Sequence, residues 1–194
     1  CDDVGNTCSH VNARYVEVAA GTEYTCGTID TAQIRCWGHN DLGQLGDGTT
    51  TNRTQFITVS GIAAGAGIIS AAHGHTCAVV SGGVKCWGSN LEGQLGNGTT
   101  TGSSVPVDVT GLSGTAYAVS VGGGSSIGGD HSCAIVGASR NVMCWGDNAY
   151  GQLGNDTTTD SSTPVFAHNN VGNNLANIQQ VSAGAHHTCA ITSS

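Results

Sequence analysis

The sequence has few charged side chains and very few basic ones. Asp, Glu, Lys and Arg make up 9% of the 194 residues, and five Lys and Arg stand against thirteen Asp and Glu, for a net charge of −8. An average globular protein has roughly 25% charged residues. Because binding to a phosphate backbone depends on clustered Lys and Arg, nucleic acid is not an expected partner. No run approaches about eighteen consecutive apolar residues, so no transmembrane helix is predicted.

The sequence also lacks helical periodicity. Apart from the glycine-interrupted stretch 59–66, no window has apolar residues at the i, i+3, i+4, i+7 spacing of an amphipathic helix, whereas short apolar runs at 78–80, 105–109 and 119–121 are bounded by Gly, Ser, Thr and Asn. Such runs are typical of β-strands. Glycine supplies 31 residues, about twice its usual share, which favours many tight turns. We therefore predict an all-β protein.

Three blocks recur almost unchanged along the chain: CWGHNDLGQLGDGTT at 36–50, CWGSNLEGQLGNGTT at 86–100 and CWGDNAYGQLGNDTT at 144–158. A shorter element with Cys at its end precedes each block, and its fourth copy, His187-Thr188-Cys189, has no block after it. A period of about 51 to 56 residues predicts units that bury their apolar faces by stacking on their neighbours. The array of repeats therefore breaks off within its fourth unit.

Six of the nine cysteines fall in pairs at one position of the repeat. The pairs are Cys26 with Cys36, Cys77 with Cys86, and Cys133 with Cys144. A spacing of about ten residues around a turn suits opposite positions on two hairpin strands, so we predict three disulfides. Buried free thiols are the alternative, and zinc is disfavoured because the short C-x₂₋₄-C spacing is missing. Bridges in every repeat indicate an oxidising compartment, hence a secreted or cell-surface protein.

Three cysteines remain without a partner inside a repeat. Repeat register would place the partner of Cys189 about ten residues downstream, past Ser194. We therefore expect Cys189 to bond Cys1 or Cys8 of a neighbouring copy, with residues 1–14 acting as a donated strand. Cys1 has a second interpretation as the acylated N-terminal residue of a bacterial lipoprotein.

The chain offers no arrangement that indicates catalysis. No G-x-S-x-G elbow with a placed His and Asp appears, and the carboxylates of the repeated block do not alternate as in a calcium loop. His75, His131 and His187 recur at one repeat position, where the first copy has Tyr24. Because repeat register accounts for these histidines, we expect each to pack or hydrogen-bond within its own repeat. We predict no enzymatic activity, no metal and no cofactor.

Three glycosylation sequons lie in the loops predicted to be exposed. They begin at Asn52, Asn97 and Asn155. Two of these sequons belong to the repeated block itself. Their residues are therefore explained equally well by the loop structure of the repeat. Glycans would give a solubility that the low surface charge does not supply.

The repeated CWGxNxxGQLGxGTT block, preceded by His-Thr-Cys, resembles the regulator-of-chromosome-condensation repeat family, especially its disulfide-containing extracellular members. The resemblance covers residues 15–194 and implies a β-propeller of four-stranded antiparallel blades, usually seven in number. It divides the chain into repeats at about 15–65, 66–116 and 117–177, with a partial repeat at 178–194. Nucleotide exchange on small GTPases and chromatin binding belong to intracellular members, and this acidic chain lacks the surfaces they use.

Three complete repeats and a partial one are too few to close a ring, since propellers have about four to eight blades. Our leading hypothesis is a non-enzymatic extracellular structural protein that polymerises head to tail into a filament, each copy donating its N-terminal segment to the open sheet edge of the next. The alternatives are a secreted protein-binding or inhibitor module that uses the loop face of a propeller, and a fragment of a longer propeller. The expected partners are copies of the chain itself and other extracellular proteins.

Overall fold

A computed structural model describes residues 13–124 and 128–192, and these residues form fourteen β-strands and no helix. No segment within these two ranges could cross a membrane as a helix. The predicted all-β class is confirmed.

The strands form four antiparallel sheets. The first contains β1 (Tyr15–Ala20), β2 (Tyr24–Ile29), β3 (Ile34–Gly38) and β4 (Arg53–Thr58). The second contains β5 (Ala66–Ala71), β6 (His75–Val80), β7 (Gly83–Gly88) and β8 (Ser103–Asp108). The third contains β9 (Ala116–Gly122), β10 (His131–Val136), β11 (Asn141–Gly146) and β12 (Ser161–Phe166). The fourth has only β13 (Ile178–Ala183) and β14 (Thr188–Thr192) among the described residues.

Each sheet is one blade, and the strands of a blade follow one another in sequence order. We call the three full sheets blades 1 to 3 and the last one the partial blade. The apolar runs at 78–80 and 119–121 lie inside β6 and β9, and the run at 105–109 extends one residue past the end of β8. The predicted architecture of three complete repeats and part of a fourth is confirmed.

The blades stack through their first strands. Strand β5 packs against β1 and β2, β9 against β5 and β6, and β13 against β9 and β10. Each buried apolar cluster is accordingly shared by two consecutive blades: Leu45 of blade 1 packs with Trp87 of blade 2, and Leu95 packs with Trp145 in the same way. Because the core lies between blades, each blade depends on its neighbours for stability.

Disulfides join the second and third strands of every full blade. The pairs are Cys26–Cys36, Cys77–Cys86 and Cys133–Cys144, with Cα atoms 4.0–4.1 Å apart. In each pair the two cysteines are directly opposite in the antiparallel register, and all six are buried.

We expect a variant that lacks one whole bridge, Cys77→Ala with Cys86→Ala, to lose about 2–3 kcal/mol of unfolding free energy, because the bridge closes a loop of about ten residues in the unfolded chain. Urea titration followed by circular dichroism would measure the loss. Peptide mapping of unreduced native protein should recover all three links, and free thiols at these positions would contradict both the bridges and the oxidising compartment inferred from them.

Candidate functional site

The repeated block forms a hydrogen-bonded junction with the following blade. At the first junction the backbone carbonyl of Gln44 accepts a hydrogen bond from the Thr76 hydroxyl at 3.0 Å and another from the Trp87 indole Nε1 at 2.8 Å. Thr76 and Trp87 are directly opposite one another on β6 and β7. One carbonyl therefore fixes two adjacent strands of the next blade.

The second junction repeats this geometry. The Gln94 carbonyl accepts from Ser132 Oγ at 2.9 Å and from Trp145 Nε1 at 2.8 Å, and Ser132 and Trp145 are again opposite one another, on β10 and β11. Both indoles are fully buried. Since equivalent residues of two consecutive repeats make the same contacts, the junction is a property of the repeat.

The last glycine of each Gly-Gln-Leu-Gly segment leaves room for the indole. A Cβ atom on Gly46 would lie 2.8 Å from Trp87 Nε1, and one on Gly96 would lie 2.7 Å from Trp145 Nε1. Both glycines also have positive φ values, 73° and 67°, which disfavour a side chain. The sequence predicted a tight loop at these glycines. It did not predict that each glycine contacts the tryptophan of the next blade, although the glycine and the tryptophan both recur in fixed register.

The recurring histidines also contact the next blade. His75 Nε2 lies 3.0 Å from Ser132 Oγ, and His131 Nε2 lies 2.8 Å from Thr188 Oγ1. The expectation that each histidine bonds within its own repeat holds only in part: His131 Nδ1 lies 3.0 Å from the Gly129 carbonyl of its own repeat, but both Nε2 atoms contact the next blade. Because Ser132 gives its only hydroxyl proton to the Gln94 carbonyl, His75 must donate from Nε2, which leaves its Nδ1 unprotonated. That Nδ1 atom is buried and has no hydrogen-bond partner among residues 13–124 and 128–192.

Burial holds these histidines in the neutral form. It lowers the pKa of His75 to about 3, helped by the nearby His131 and His73. Burial also lowers the pKa of His131, although the Gly129 carbonyl and Asp147 oppose this shift. Their role in the structure is that of neutral hydrogen-bonding groups between blades. Residues 13–124 and 128–192 contain no group of three or more His, Cys, Asp or Glu side chains placed to hold a metal ion.

At the partial blade, the junction has the hydroxyl hydrogen bond but no indole hydrogen bond from the described residues. Thr188 Oγ1 donates to the Gln152 carbonyl at 2.9 Å, as its counterparts do. A cavity of about 360 Å³ lies beside it, lined by Leu153, Gly154 and Ala190 among others. Within the described part of the chain, β14 pairs with β13 alone, and Cys189 is exposed and forms no disulfide. An open sheet edge, a free thiol and a cavity therefore adjoin one another.

Blade 1, at the opposite end of the row, has the tryptophan and the threonine of a junction without a described blade before them. Trp37 and Thr25, the counterparts of Trp87 and Thr76, are only partly buried because no described blade precedes them. Trp37 packs edge-on against Tyr15 at 6.0 Å between ring centroids. Val18 of β1 is 58% exposed, whereas its counterparts Ile69 of β5 and Val119 of β9 are buried. Apolar surface that the other blades bury is thus open to solvent here.

The predicted glycosylation sites take part in loop structure. The Asn97 and Asn155 side-chain oxygens accept hydrogen bonds from Thr99 and Thr157 hydroxyls at 2.8 and 2.9 Å. The Asn52 oxygen accepts from a backbone N–H at 2.7 Å. Asn52 is exposed and the other two are partly exposed. Their glycosylation stays a prediction.

The predicted partners of Cys189 lie outside the described residues. Cys1 and Cys8 both belong to residues 1–12, for which no structure is described. The predicted links from Cys189 to these cysteines therefore stay predictions.

Successive four-stranded meanders joined by one repeated junction define a β-propeller repeat protein. The chain belongs to the regulator of chromosome condensation (RCC1) repeat family, whose model matches residues 81–135 and 141–191. A second model of the same repeat matches residues 126–152.

Solved structures share the fold at low sequence identity. Human WBSCR16 aligns with a TM-score of 0.75 and 19% identity over 93% of this chain and 45% of its own. Yeast RCC1 (Prp20), in complex with Kap60, gives 0.71 and 16% over 93% of this chain and 42% of its own. The ectodomain of the Physcomitrella patens receptor kinase CR4 gives 0.54 and 21% over 93% and 38%. The chain spans less than half the length of each.

Two tryptophan variants test the junction. We expect Trp87→Phe to lower the free energy of unfolding by about 1–2 kcal/mol, because it removes the hydrogen bond to Gln44 and leaves a gap in a buried seat. Trp37→Phe should change it by less than about 0.5 kcal/mol, since its indole is only partly buried and has no carbonyl partner among the described residues. Urea unfolding followed by circular dichroism compares the two, and equal losses would contradict this account of the junction.

A pH titration tests the buried histidine. Unfolded His75 takes up a proton below pH 6.5 while the folded side chain resists protonation down to about pH 3, so stability should fall as pH falls, by up to about 1.4 kcal/mol per pH unit. We expect His75→Tyr, which copies Tyr24 of blade 1, to lose less stability between pH 7 and pH 4.5. Thermal melts across that range provide the measurement.

The contribution of Asp130 to folding stability changes with pH in the opposite direction. Burial raises its pKa to about 6, so its contribution to stability falls as pH rises through that value. Because both proteins retain Asp130, the difference between their two pH curves isolates His75. Superimposable curves would contradict the assigned neutral state of His75.

Proposed function

We propose that this chain is a non-enzymatic protein-binding module that acts through its partial blade, and that its first partners are copies of itself arranged head to tail. The observation that carries the proposal is the unpaired edge of β14. Four of its five residues are exposed, whereas all six of the corresponding strand β10 are buried. A two-stranded sheet is marginally stable alone, so accepting another strand would stabilise it.

Strand addition would use main-chain hydrogen bonds along this edge. The N-terminal segment of a neighbouring copy is the donor we favour, because it brings Cys1 and Cys8 to the free thiol of Cys189. The two thiols would be oxidised to a disulfide by exchange with a small disulfide such as oxidised glutathione, which is reduced to two thiols. The contact is heterologous, so it generates a closed ring or an open filament; we favour the filament.

The compartment follows from the same chemistry. Three disulfides within 194 residues favour an oxidising environment. We therefore propose that the module acts outside the cell, secreted or at the cell surface.

A second candidate function uses the loop face. Each repeated block carries a large exposed apolar side chain at its tip: Leu42, Leu91 and Tyr150 are 44%, 79% and 73% exposed. Apolar groups presented by consecutive blades suit contact with another protein. This binding or inhibitory role would hold equally if the chain is part of a longer propeller, which its coverage of less than half of the solved relatives favours.

The variant Cys189→Ser tests self-association. We expect the parent protein to form a ladder of oligomers on non-reducing electrophoresis, and Cys189→Ser to lose the ladder and to weaken the polymers seen by negative-stain imaging. Thr192→Ser, on the same strand, is the matched control and should keep both. A monodisperse parent monomer with Cys189 linked to a cysteine of its own chain would contradict head-to-tail assembly.

A further inference from the structure

We infer that the cavity beside Gly154 is a socket for a tryptophan side chain, and that the strand that binds most tightly to β14 carries Trp directly after a Cys. This inference rests on the proposed acceptance of a strand at β14 and names the chemistry of that strand. Its occupant is the third strand of another repeat of this type, unpaired in its own sheet.

Two occupied copies of the socket exist in the same chain. The seats beside Gly46 and Gly96 each hold the indole of the next blade, so closely that an added Cβ would collide with it. Beside Gly154 the nearest atom to an added Cβ is Ala167 Cβ at 3.5 Å, and no indole is present. The φ of Gly154, 66°, matches the 67° of Gly96. The seat is therefore formed although no described side chain fills it.

The polar groups of this socket are also incomplete. The Gln152 carbonyl receives a hydrogen bond from Thr188, whereas the Gln94 carbonyl receives one from a hydroxyl and one from an indole. The Gln152 side chain is 3% exposed, and its Nε2 has no hydrogen-bond partner. By contrast, Gln94 Nε2 has two partners within 3.2 Å. The partners of Gln94 Nε2 are Ser89 Oγ and Asp130 Oδ2, and neither lies on a third strand. The Gln152 carbonyl is therefore the group that lacks the indole hydrogen bond of its counterparts.

Strand register fixes where the tryptophan must stand. In blade 3, Ser132 is opposite Trp145 and Cys133 is opposite Cys144. By the same register a strand added to β14 places Trp opposite Thr188 and Cys opposite Cys189. The indole would then enter the cavity, and its Nε1 would reach the Gln152 carbonyl.

The described strands of a folded copy of this chain cannot supply that strand. Its three tryptophans lie in β3, β7 and β11, each of which is paired on both sides. The N-terminal segment offers Cys8 followed by Ser9, which can provide the thiol and backbone hydrogen bonds but leaves the socket empty. A Cys-Trp-Gly strand should therefore outcompete self-association and cap the polymers.

Peptide binding tests the socket without its covalent bond. The probe is a synthetic peptide with the sequence of residues 141–148 carrying Cys144→Ser, and its comparator carries Trp145→Ala in addition. We expect the tryptophan peptide to bind at least about tenfold more tightly by calorimetry, because the comparator loses the buried indole and its hydrogen bond. Equal affinities would overturn the inference.

Two protein variants locate the binding. Ala190 lines the cavity, and Ile191 is the next residue, on the opposite face of β14 and 57% exposed. We expect Ala190→Leu to fill the socket and reduce the preference for the tryptophan peptide to less than about twofold, while Ile191→Leu keeps the preference. Retention of the preference in Ala190→Leu would place the peptide elsewhere.

A disulfide then reports the register. With Cys144 retained in the peptide, the Cys189 thiolate attacks oxidised glutathione and releases one glutathione thiolate. The peptide thiolate then displaces the second glutathione and forms the Cys189–peptide bond. Mass spectrometry should find this link, and the Trp145→Ala peptide should form less of it at equilibrium. Equal linkage of the two peptides would contradict the socket.

A peptide of residues 1–12 separates the two proposals. If the 1–12 peptide binds as tightly as the tryptophan peptide and the protein polymerises, the tryptophan socket is contradicted and self-assembly is supported. If the tryptophan peptide binds more tightly and dissolves the polymers, both stand. If it binds more tightly to a protein that remains monomeric, the socket stands and self-assembly falls. If no peptide binds, both fall.

Discussion

The structure depends on a backbone carbonyl that accepts two hydrogen bonds from the following blade. The Gln44 and Gln94 carbonyls each join a hydroxyl on a second strand to an indole on a third strand. These bonds stand within the buried clusters, where an unpaired polar atom would cost free energy. Blade spacing, the buried tryptophans and the glycine seats all follow from this contact.

Much of the fold could be predicted from the sequence, because repetition shows which residues are equivalent. The all-β class followed from the missing helical periodicity and the short apolar runs. The three complete repeats and the partial fourth followed from the register of the repeated block. Repetition does not show whether a recurring residue contacts its own blade or the next. For that reason the contacts of His75 Nε2 and His131 Nε2 with the next blade were not predicted. The tryptophan contacts of Gly46 and Gly96 were also missed, since they depend on stacking distance and burial.

The two ends of the blade row differ from its middle in a complementary way. Blade 1 exposes an indole and a hydroxyl that the other blades bury, while the partial blade offers a carbonyl and a cavity without an indole. A repeat protein of this kind has chemically unsatisfied ends because each unit supplies half of a contact to each neighbour. Within the described residues, the junction contacts that stay incomplete are accordingly those of blade 1 and of the partial blade.

The placement of the disulfides has a mechanical consequence. Each described bridge ties two strands of one blade, and none ties a blade to its neighbour. When the chain is pulled at its ends, blades can separate by breaking non-covalent junctions alone, yet the residues between bridged cysteines cannot extend. With 9 to 11 residues of separation and at most about 3.6 Å per residue, roughly 30–40 Å of contour length per blade stays locked. An oxidised array would thus stretch less than a reduced one under the same load.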